Sequence, residues 1–154
     1  MTRASEVIAA LTGKTLSTAE SCTGGMIGAA LTAVPGSSNV YKGGVVSYWS
    51  QIKHSLLGVE EDALAQFGPV SSQVAAQMAK GARVALDTDV AVSVTGLAGP
   101  GGDDFGNPVG TVFIGYSDDR GEFVEKHLFS GDRETVRRRA AEAALELVLR
   151  KITE

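Results

Sequence analysis

The residues best suited to chemistry form a short run, TAESCTGG, at positions 18–25. This run places a hydroxyl nucleophile, Ser21, and the single thiol of the chain, Cys22, beside paired glycines, and an apolar, small-residue segment follows it. The pattern predicts a strand-to-helix junction, where free backbone N–H groups can bind an anion or stabilise an oxyanion. Capping of the helix by Ser21 or Thr23 explains the same residues equally well.

Other reactive side chains form weaker patterns. Cys22 is more often a small buried hydrophobe than a nucleophile, although a helix N-terminus lowers the pKa of a thiol. His54 and His127 are the only histidines, and a Ser-His-Asp triad through His54 stays open. Asp103 and Asp104 lie in a loop of Gly, Asn and Pro, where Asp is commonly a turn residue. No spacing of His, Cys, Asp or Glu indicates a metal site.

The elements that must position these residues follow from hydrophobic periodicity. Helices are predicted over residues 4–11, 26–34 and 52–57, from Ser71 or Ser72 to about Leu86, and after Asp132 as N-cap to the C-terminus. Strands are predicted over residues 15–19, 43–48, 89–95, 110–117 and 123–129, the last two as a hairpin. This order favours an α/β fold, a three-layer α/β/α sandwich with a mixed central sheet. The run Arg137-Arg138-Arg139 is typical of a solvated helix face.

Composition excludes several classes of protein. With 154 residues, 44% of them hydrophobic and 21% charged, the chain is expected to form one domain over residues 1–154 with a single core. The net charge of −4 disfavours nucleic acid as a partner. A single cysteine permits no internal disulfide and suits a reducing compartment. No apolar run approaches the ~18 residues of a membrane helix and the N-terminus does not resemble a signal peptide, so we expect a cytoplasmic location and no membrane partner.

Five motifs occur in one order between about residue 19 and residue 139: AESCTGG, GGVVSYWSQIK, GPVSSQVAAQMAKGA, TGLAGPGG with NPVGTV, and FSGDRETVR. Together they resemble the CinA C-terminal domain family, the nicotinamide-nucleotide amidases. The resemblance implies hydrolysis of the carboxamide of nicotinamide mononucleotide to nicotinate mononucleotide and ammonia, a step of pyridine-nucleotide recycling. The expected partner is thus a small-molecule nucleotide, with no cofactor and no metal. A homo-oligomer, with a dimer favoured, and the absence of the N-terminal domain of longer members are also expected.

The resemblance assigns three catalytic roles. Ser21 corresponds to the nucleophile, Lys53 to the base and Tyr48 to a proton relay. Amide hydrolysis needs such groups, because the carbonyl must be attacked and the departing ammonia protonated. A lysine acts as a base only when burial or a neighbouring cation lowers its pKa, so Lys53 is expected to point into the site. On base rates alone it would be a solvated surface lysine.

The resemblance also implies groups that bind the substrate. Thr95 and Arg133 would position it, and the guanidinium could reach a phosphate or the carboxamide. Gly99 either serves only to form a turn of the backbone, or it lines the binding site, where the missing side chain lets the nucleotide approach the backbone closely. A further set of backbone N–H groups would form either an oxyanion hole or a phosphate-binding site. These are the N–H groups of Cys22, Thr23, Gly24 and Gly25.

Two stretches depart from the family pattern. After Tyr48 the usual Ser-Asn-Glu-Ala-Lys reads WSQIK, which keeps only the final lysine, and Asn107 stands where a lysine is common before PVGTV. Both changes leave the proposed chemistry intact and bear on substrate range and rate. An alternative from a different class is a non-catalytic nucleotide-sensing or interaction domain of the competence-damage type, which keeps the pocket without turnover.

Overall fold

Five strands form one mixed sheet in a computed structural model that describes residues 1–154. The strands are β1 (Leu16–Glu20), β2 (Tyr41–Val46), β3 (Val90–Gly96), β4 (Thr111–Asp118) and β5 (Gly121–Leu128). Their order in the sheet is β2-β1-β3-β4-β5, with β1 parallel to both β2 and β3. β4 is antiparallel to β3 and to β5. The central strands β1 and β3 are buried along almost their whole length, as parallel strands covered on both faces are.

Helices cover both faces of this sheet. The helices are α1 (Arg3–Ala10), α2 (Met26–Thr32), α3 (Ser50–Leu57), α4 (Glu61–Phe67), α5 (Ser72–Ala85) and α6 (Arg133–Ile152), with a short 3-10 helix at Ser37–Asn39. α1, α2 and α6 pack together on one face, and α3, α4 and α5 on the other. The predicted three-layer α/β/α sandwich with a mixed sheet is therefore confirmed.

Alternation along β3 divides the core between the two faces. Val90, Val92 and Val94 point toward α1, α2 and α6, and the intervening Ala91 points toward α3 and α5. The small residue on the second face lets α5 approach closely, and Ser93 Oγ donates a hydrogen bond to the Ala75 carbonyl of α5 at 2.6 Å. One face of the sheet therefore packs its large aliphatic side chains against α1, α2 and α6, and the other face packs small residues closely against α5.

The observed elements differ from the predicted ones in α4, which was not predicted, and in the bounds of the edge strand β2. The strand predicted over residues 43–48 lies two residues earlier, at Tyr41–Val46, because the parallel register pairs Tyr41 with Leu16. Ser47 and Tyr48 therefore leave the sheet and turn into α3, which starts at Ser50. This displacement brings the backbone of both residues to the carboxyl ends of the parallel strands, where ligand sites of open α/β sheets form.

None of the helices combines the length and the apolar character that a membrane crossing requires.

Candidate active site

A cavity of about 240 Å³ lies at the carboxyl ends of β1 and β3. Its walls come from the loops that follow β1, β2 and β3, from α3, from the segment before α5 and from the first residue of α6. The charged side chains at its walls are Lys53 and Arg133, and no carboxylate lines it. Six residues singled out from the sequence meet here: Ser21, Cys22, Tyr48, Lys53, Gly99 and Arg133.

Lys53 reaches this cavity from the buried side of α3. Lys53 and Leu57, one turn apart, are the two buried residues of the helix, so the amphipathic pattern directs the lysine inward. Its side chain is 1% exposed. Lys53 Nζ donates hydrogen bonds to Ser21 Oγ at 2.9 Å, to the Ser47 carbonyl at 2.7 Å and to the Tyr48 carbonyl at 3.2 Å.

These three bonds suit a lysine that releases a proton. Burial lowers the pKa of Lys53 from 10.5 to about 8, because the ammonium loses its hydration. A neutral amine has two N–H bonds and one lone pair. Since the carbonyls of Ser47 and Tyr48 can only accept, they retain the two N–H bonds and leave the lone pair facing Ser21 Oγ.

The alternative nucleophile and the alternative base are placed less favourably. Cys22 is buried, and burial raises the pKa of its thiol to about 11, so the reactive thiolate is scarce at neutral pH. His54 Nδ1 lies 2.7 Å from the Val59 carbonyl, and its Nε2 lies 3.1 Å from a carboxylate oxygen of Glu61. His54 therefore makes no contact with Ser21, and the arrangement of a Ser-His-Asp triad is absent.

A buried carboxylate that the sequence did not single out organises the loop after β1. Glu20 accepts hydrogen bonds from the Thr23 hydroxyl at 2.7 Å and from the N–H groups of Gly25 at 3.2 Å, Ile27 at 2.9 Å and Gly28 at 3.0 Å. An acidic residue six positions before a predicted helix start was the available signal, because carboxylates stabilise helix N-termini. Glu20 thus already occupies the position that a phosphate would take at the start of α2.

The four N–H groups expected to form an oxyanion hole or a phosphate-binding site therefore separate into two pairs. Gly24 donates to the Ser21 carbonyl at 3.1 Å, and Gly25 donates to Glu20. The N–H groups of Cys22 and Thr23 have no acceptor within the protein. Cys22 lines the cavity, whereas Thr23 is fully buried and does not line it. Unpaired buried N–H groups are rare in folded proteins, and these two directly follow Ser21 in the chain.

Arg133 and Tyr48 meet at the rim of the cavity. Arg133 donates to the Gly99 carbonyl at 2.6 Å and to the Tyr48 hydroxyl at 3.2 Å. The Tyr48 side chain is 58% exposed, and its hydroxyl makes no hydrogen bond to Ser21 or Lys53. The structure thus places the Tyr48 backbone beside the lysine and the phenol beside the arginine, and the role of Tyr48 as proton relay stays a prediction.

Thr95 does not line the cavity. Its hydroxyl is buried and donates to the Pro69 carbonyl at 2.7 Å, which holds the segment before α5 against the carboxyl end of β3. Asn107 Nδ2 acts on the same segment, since it donates to the Val70 carbonyl at 3.1 Å and to Asp103 at 2.8 Å. Pro69 and Val70 form one wall of the cavity, so both side chains shape the site from behind it.

Comparison with known proteins identifies a family model and several proteins that are similar to this chain. A family model described as the CinA C-terminal domain matches residues 2–152. The nicotinamide-nucleotide amidohydrolase PncC of Enterobacter agglomerans is 49% identical over 134 residues, which are 86% of this chain and 82% of that protein. A CinA-like protein of Thermotoga neapolitana is 45% identical over 141 residues, 92% of this chain, and the chain spans only 34% of that protein.

Solved structures share the fold. The competence-damaged protein (CinA) superfamily protein of Escherichia coli superposes with a TM-score of 0.93 at 36% identity, covering 96% of this chain and 87% of that one. The competence/damage inducible protein CihA of Agrobacterium tumefaciens superposes with a TM-score of 0.90 at 40% identity, covering 99% and 94% of the two chains.

Proposed function

The chain belongs to the CinA C-terminal domain family, and from that premise we propose that it is a nicotinamide-nucleotide amidase. It hydrolyses the carboxamide of nicotinamide mononucleotide to nicotinate mononucleotide and ammonia. The observation that carries the proposal is the 2.9 Å contact between Lys53 Nζ and Ser21 Oγ at the floor of a cavity without carboxylates. The name of the Enterobacter agglomerans relative, a nicotinamide-nucleotide amidohydrolase, supports the choice of substrate.

Acylation begins with the neutral form of Lys53. The amine takes the proton of the Ser21 hydroxyl as Ser21 Oγ attacks the carboxamide carbon, and a tetrahedral oxyanion forms. The unpartnered N–H group of Cys22, which lines the cavity, stabilises that oxyanion. The tetrahedral intermediate collapses when Lys53 returns the proton to the departing nitrogen, which leaves as ammonia, and the acyl group stays on Ser21.

Deacylation repeats the sequence with water. Lys53 takes a proton from a water molecule that attacks the acyl-serine carbonyl, and it then returns the proton to Ser21 Oγ as nicotinate mononucleotide is released. The same N–H group stabilises the second oxyanion, because both tetrahedral intermediates form at the same carbon. One lysine thus serves as base and acid in both halves of the reaction.

The substrate phosphate is best accommodated at the rim. Glu20 fills the start of α2 and repels a second anion there, so the loop at Ser21 is left to the carboxamide. Arg133 is exposed at the rim of the cavity and carries a guanidinium suited to phosphate. The carboxamide therefore enters first and the phosphate stays near solvent.

Ammonia release from nicotinamide mononucleotide by the purified protein tests the proposal. We expect turnover in the wild type and a loss of kcat of at least ~10³ in Ser21→Ala, as removal of a nucleophile causes. Cys22→Ala is the matched control at the adjacent position and should stay active. Binding of the nucleotide without ammonia release would refute the amidase and favour a nucleotide-sensing domain, and the reverse pattern in the two variants would move the nucleophile to Cys22.

A further inference from the structure

Arg137 differs from its neighbours on α6. The run Arg137-Arg138-Arg139 predicts a uniformly solvated face, and for Arg137 this expectation is wrong. Arg138 and Arg139 are exposed, whereas Arg137 is half-buried. Its Nε donates to the Cys22 carbonyl at 2.9 Å and its Nη2 to the Thr23 carbonyl at 3.3 Å. A guanidinium from the last helix therefore binds the backbone of the loop that carries Ser21.

These contacts control the direction of the unpartnered N–H groups. In a planar trans peptide the C=O and the following N–H point in opposite directions. The Cys22 carbonyl and the Thr23 N–H belong to one such unit, which Arg137 holds by its oxygen. The Ser21 carbonyl and the Cys22 N–H belong to the preceding unit, which the Gly24 N–H holds in the same way. In each of the two peptide units, the hydrogen bond to the carbonyl oxygen therefore fixes the direction of the N–H.

The charge of Arg137 adds to this orientation. A cationic donor on a carbonyl polarises the peptide group, and hydrogen bonds in such a chain strengthen one another. The charged donor therefore holds the loop that carries Ser21 and Cys22 more firmly than a neutral donor would. Glu20 holds the same loop from its inner side through the Thr23 hydroxyl, so the Thr23 peptide is restrained from both sides.

We propose that Arg137 is a positioning residue that holds the loop after β1, so that the Cys22 N–H at the cavity wall faces the oxyanion formed on Ser21. The inference rests on the proposed amidase function and adds to it a residue that touches neither substrate nor nucleophile. Arg137 therefore acts on the rate of the chemical step, whereas Arg133 at the rim acts on the bound nucleotide.

The test compares Arg137→Met with Arg138→Met in steady-state hydrolysis of nicotinamide mononucleotide. Methionine keeps an aliphatic stem and removes both donors, and Arg138 supplies an exposed arginine of the same helix as control. We expect kcat to fall about 10- to 100-fold in Arg137→Met, the size of effect caused by small misplacement of catalytic groups, with KM changed less than about threefold. Arg138→Met should match the wild type. An unchanged kcat, or a raised KM with kcat intact, would overturn the proposal.

A substrate pair separates oxyanion stabilisation from general damage. Sulfur accepts hydrogen bonds poorly, so the wild type should hydrolyse nicotinamide mononucleotide faster than its thiocarboxamide analogue. That preference should shrink in Arg137→Met if the N–H has lost its aim, and an unchanged preference would contradict the proposal. If Arg137→Met does not fold, Arg137→Lys replaces it, because a lysine retains the charge and one donor and should show a partial loss of both kcat and the preference.

The last measurement does not depend on the natural substrate. p-Nitrophenyl acetate acetylates an activated serine, with release of p-nitrophenolate and transfer of the serine proton to Lys53, and intact-mass analysis reports the adduct. Slower acetylation of Ser21 in Arg137→Met than in Arg138→Met supports the positioning role even if nicotinamide mononucleotide is not turned over, an outcome that would reject the proposed function alone. Equal acetylation rates would reject Arg137 as a positioning residue.

Discussion

At the scale of single residues, the protonation of Lys53 sets the pH dependence of the reaction. Burial lowers the pKa of this lysine from 10.5 to about 8, so about a tenth of the protein carries the neutral amine at pH 7. Because the reaction needs the neutral form, kcat/KM should rise with pH up to about pH 8 and level off above it. A profile of kcat/KM between about pH 6 and pH 9.5 checks this.

A charge-conserving variant is the control for this profile. Lys53→Arg keeps a positive charge that does not dissociate, so it should be nearly as inactive as Lys53→Ala. Retained activity with a flat profile would show that the residue supplies only charge and that another group is the base.

Arg133 offers a second prediction at this scale. One charge-assisted contact to phosphate is worth about 1.5 to 3 kcal/mol, so Arg133→Ala should lower kcat/KM for nicotinamide mononucleotide roughly ten- to a hundred-fold. The loss should shrink on nicotinamide riboside, which has no phosphate. Part of the loss persists on both substrates, because Arg133 also ties Gly99 to Tyr48. Equal losses on the two substrates would assign Arg133 to the carboxamide or to structure alone.

The residue types of the site were visible in the sequence, but their partners were not. Ser21, Lys53 and Arg133 stand in motifs that indicate chemistry, whereas the contact between Arg137 and Cys22 joins positions 115 residues apart. Thr95 shows the same limit, because its hydroxyl faces a carbonyl 26 positions away instead of the cavity. Long-range partners depend on the packing of the elements, which local patterns do not contain.

At the scale of elements, the close contact between α3 and α5 determines where Lys53 lies. A Cβ added at Gly81 of α5 would meet the Leu57 carbonyl oxygen at the end of α3 at 1.8 Å. The overlap costs about 1–3 kcal/mol and alanine returns ~1 kcal/mol of helix propensity, so Gly81→Ala should destabilise the protein by up to about 2 kcal/mol. A shift of α3 also misplaces Lys53, so kcat should fall with the stability.

Urea unfolding and kcat, measured on the same preparations, check this prediction. Lys80→Ala is a suitable control, because Lys80 is exposed on the same helix and such changes usually stay within about 0.5 kcal/mol. A Gly81→Ala protein more stable than the wild type would contradict the prediction, because it would show that α3 shifts away from the added methyl group without loss of stability.

Element boundaries were predictable where burial is periodic. α5 and α6 carry continuous apolar stripes and lie where the pattern places them. α4 has a single buried residue, Ala63, so no stripe marked its bounds. β2 lies at the edge of the sheet, where its outer residues face solvent and side-chain alternation constrains the bounds weakly.

At the scale of the whole molecule, net charge and local charge have opposite signs. The chain carries a net charge of −4, yet the charged side chains that line the cavity are both cations. The overall field opposes long nucleic acids, while the cavity admits a small anion over a short distance, within which screening is weak. Composition alone predicts the first property, and the second requires the folded arrangement.

The fold class was predictable for a related reason. Alternating helical and strand patterns restrict a chain of this size to few layered arrangements. The order β2-β1-β3-β4-β5 was not predictable. Both β2 and β3 pair with β1, and the hydrophobic pattern of a strand does not indicate on which side of β1 it lies.

The direction of α6 has a practical consequence. This helix begins at the rim of the cavity with Arg133 and continues for 20 residues, about 30 Å at the usual rise per residue. Glu154, just beyond it, lines the same surface pocket as Thr88 and Val90 at the amino end of β3. A fluorophore, affinity tag or surface linker attached at Glu154 is therefore held at the opposite pole from the catalytic opening, so the protein can be immobilised through this end with its cavity facing free solution.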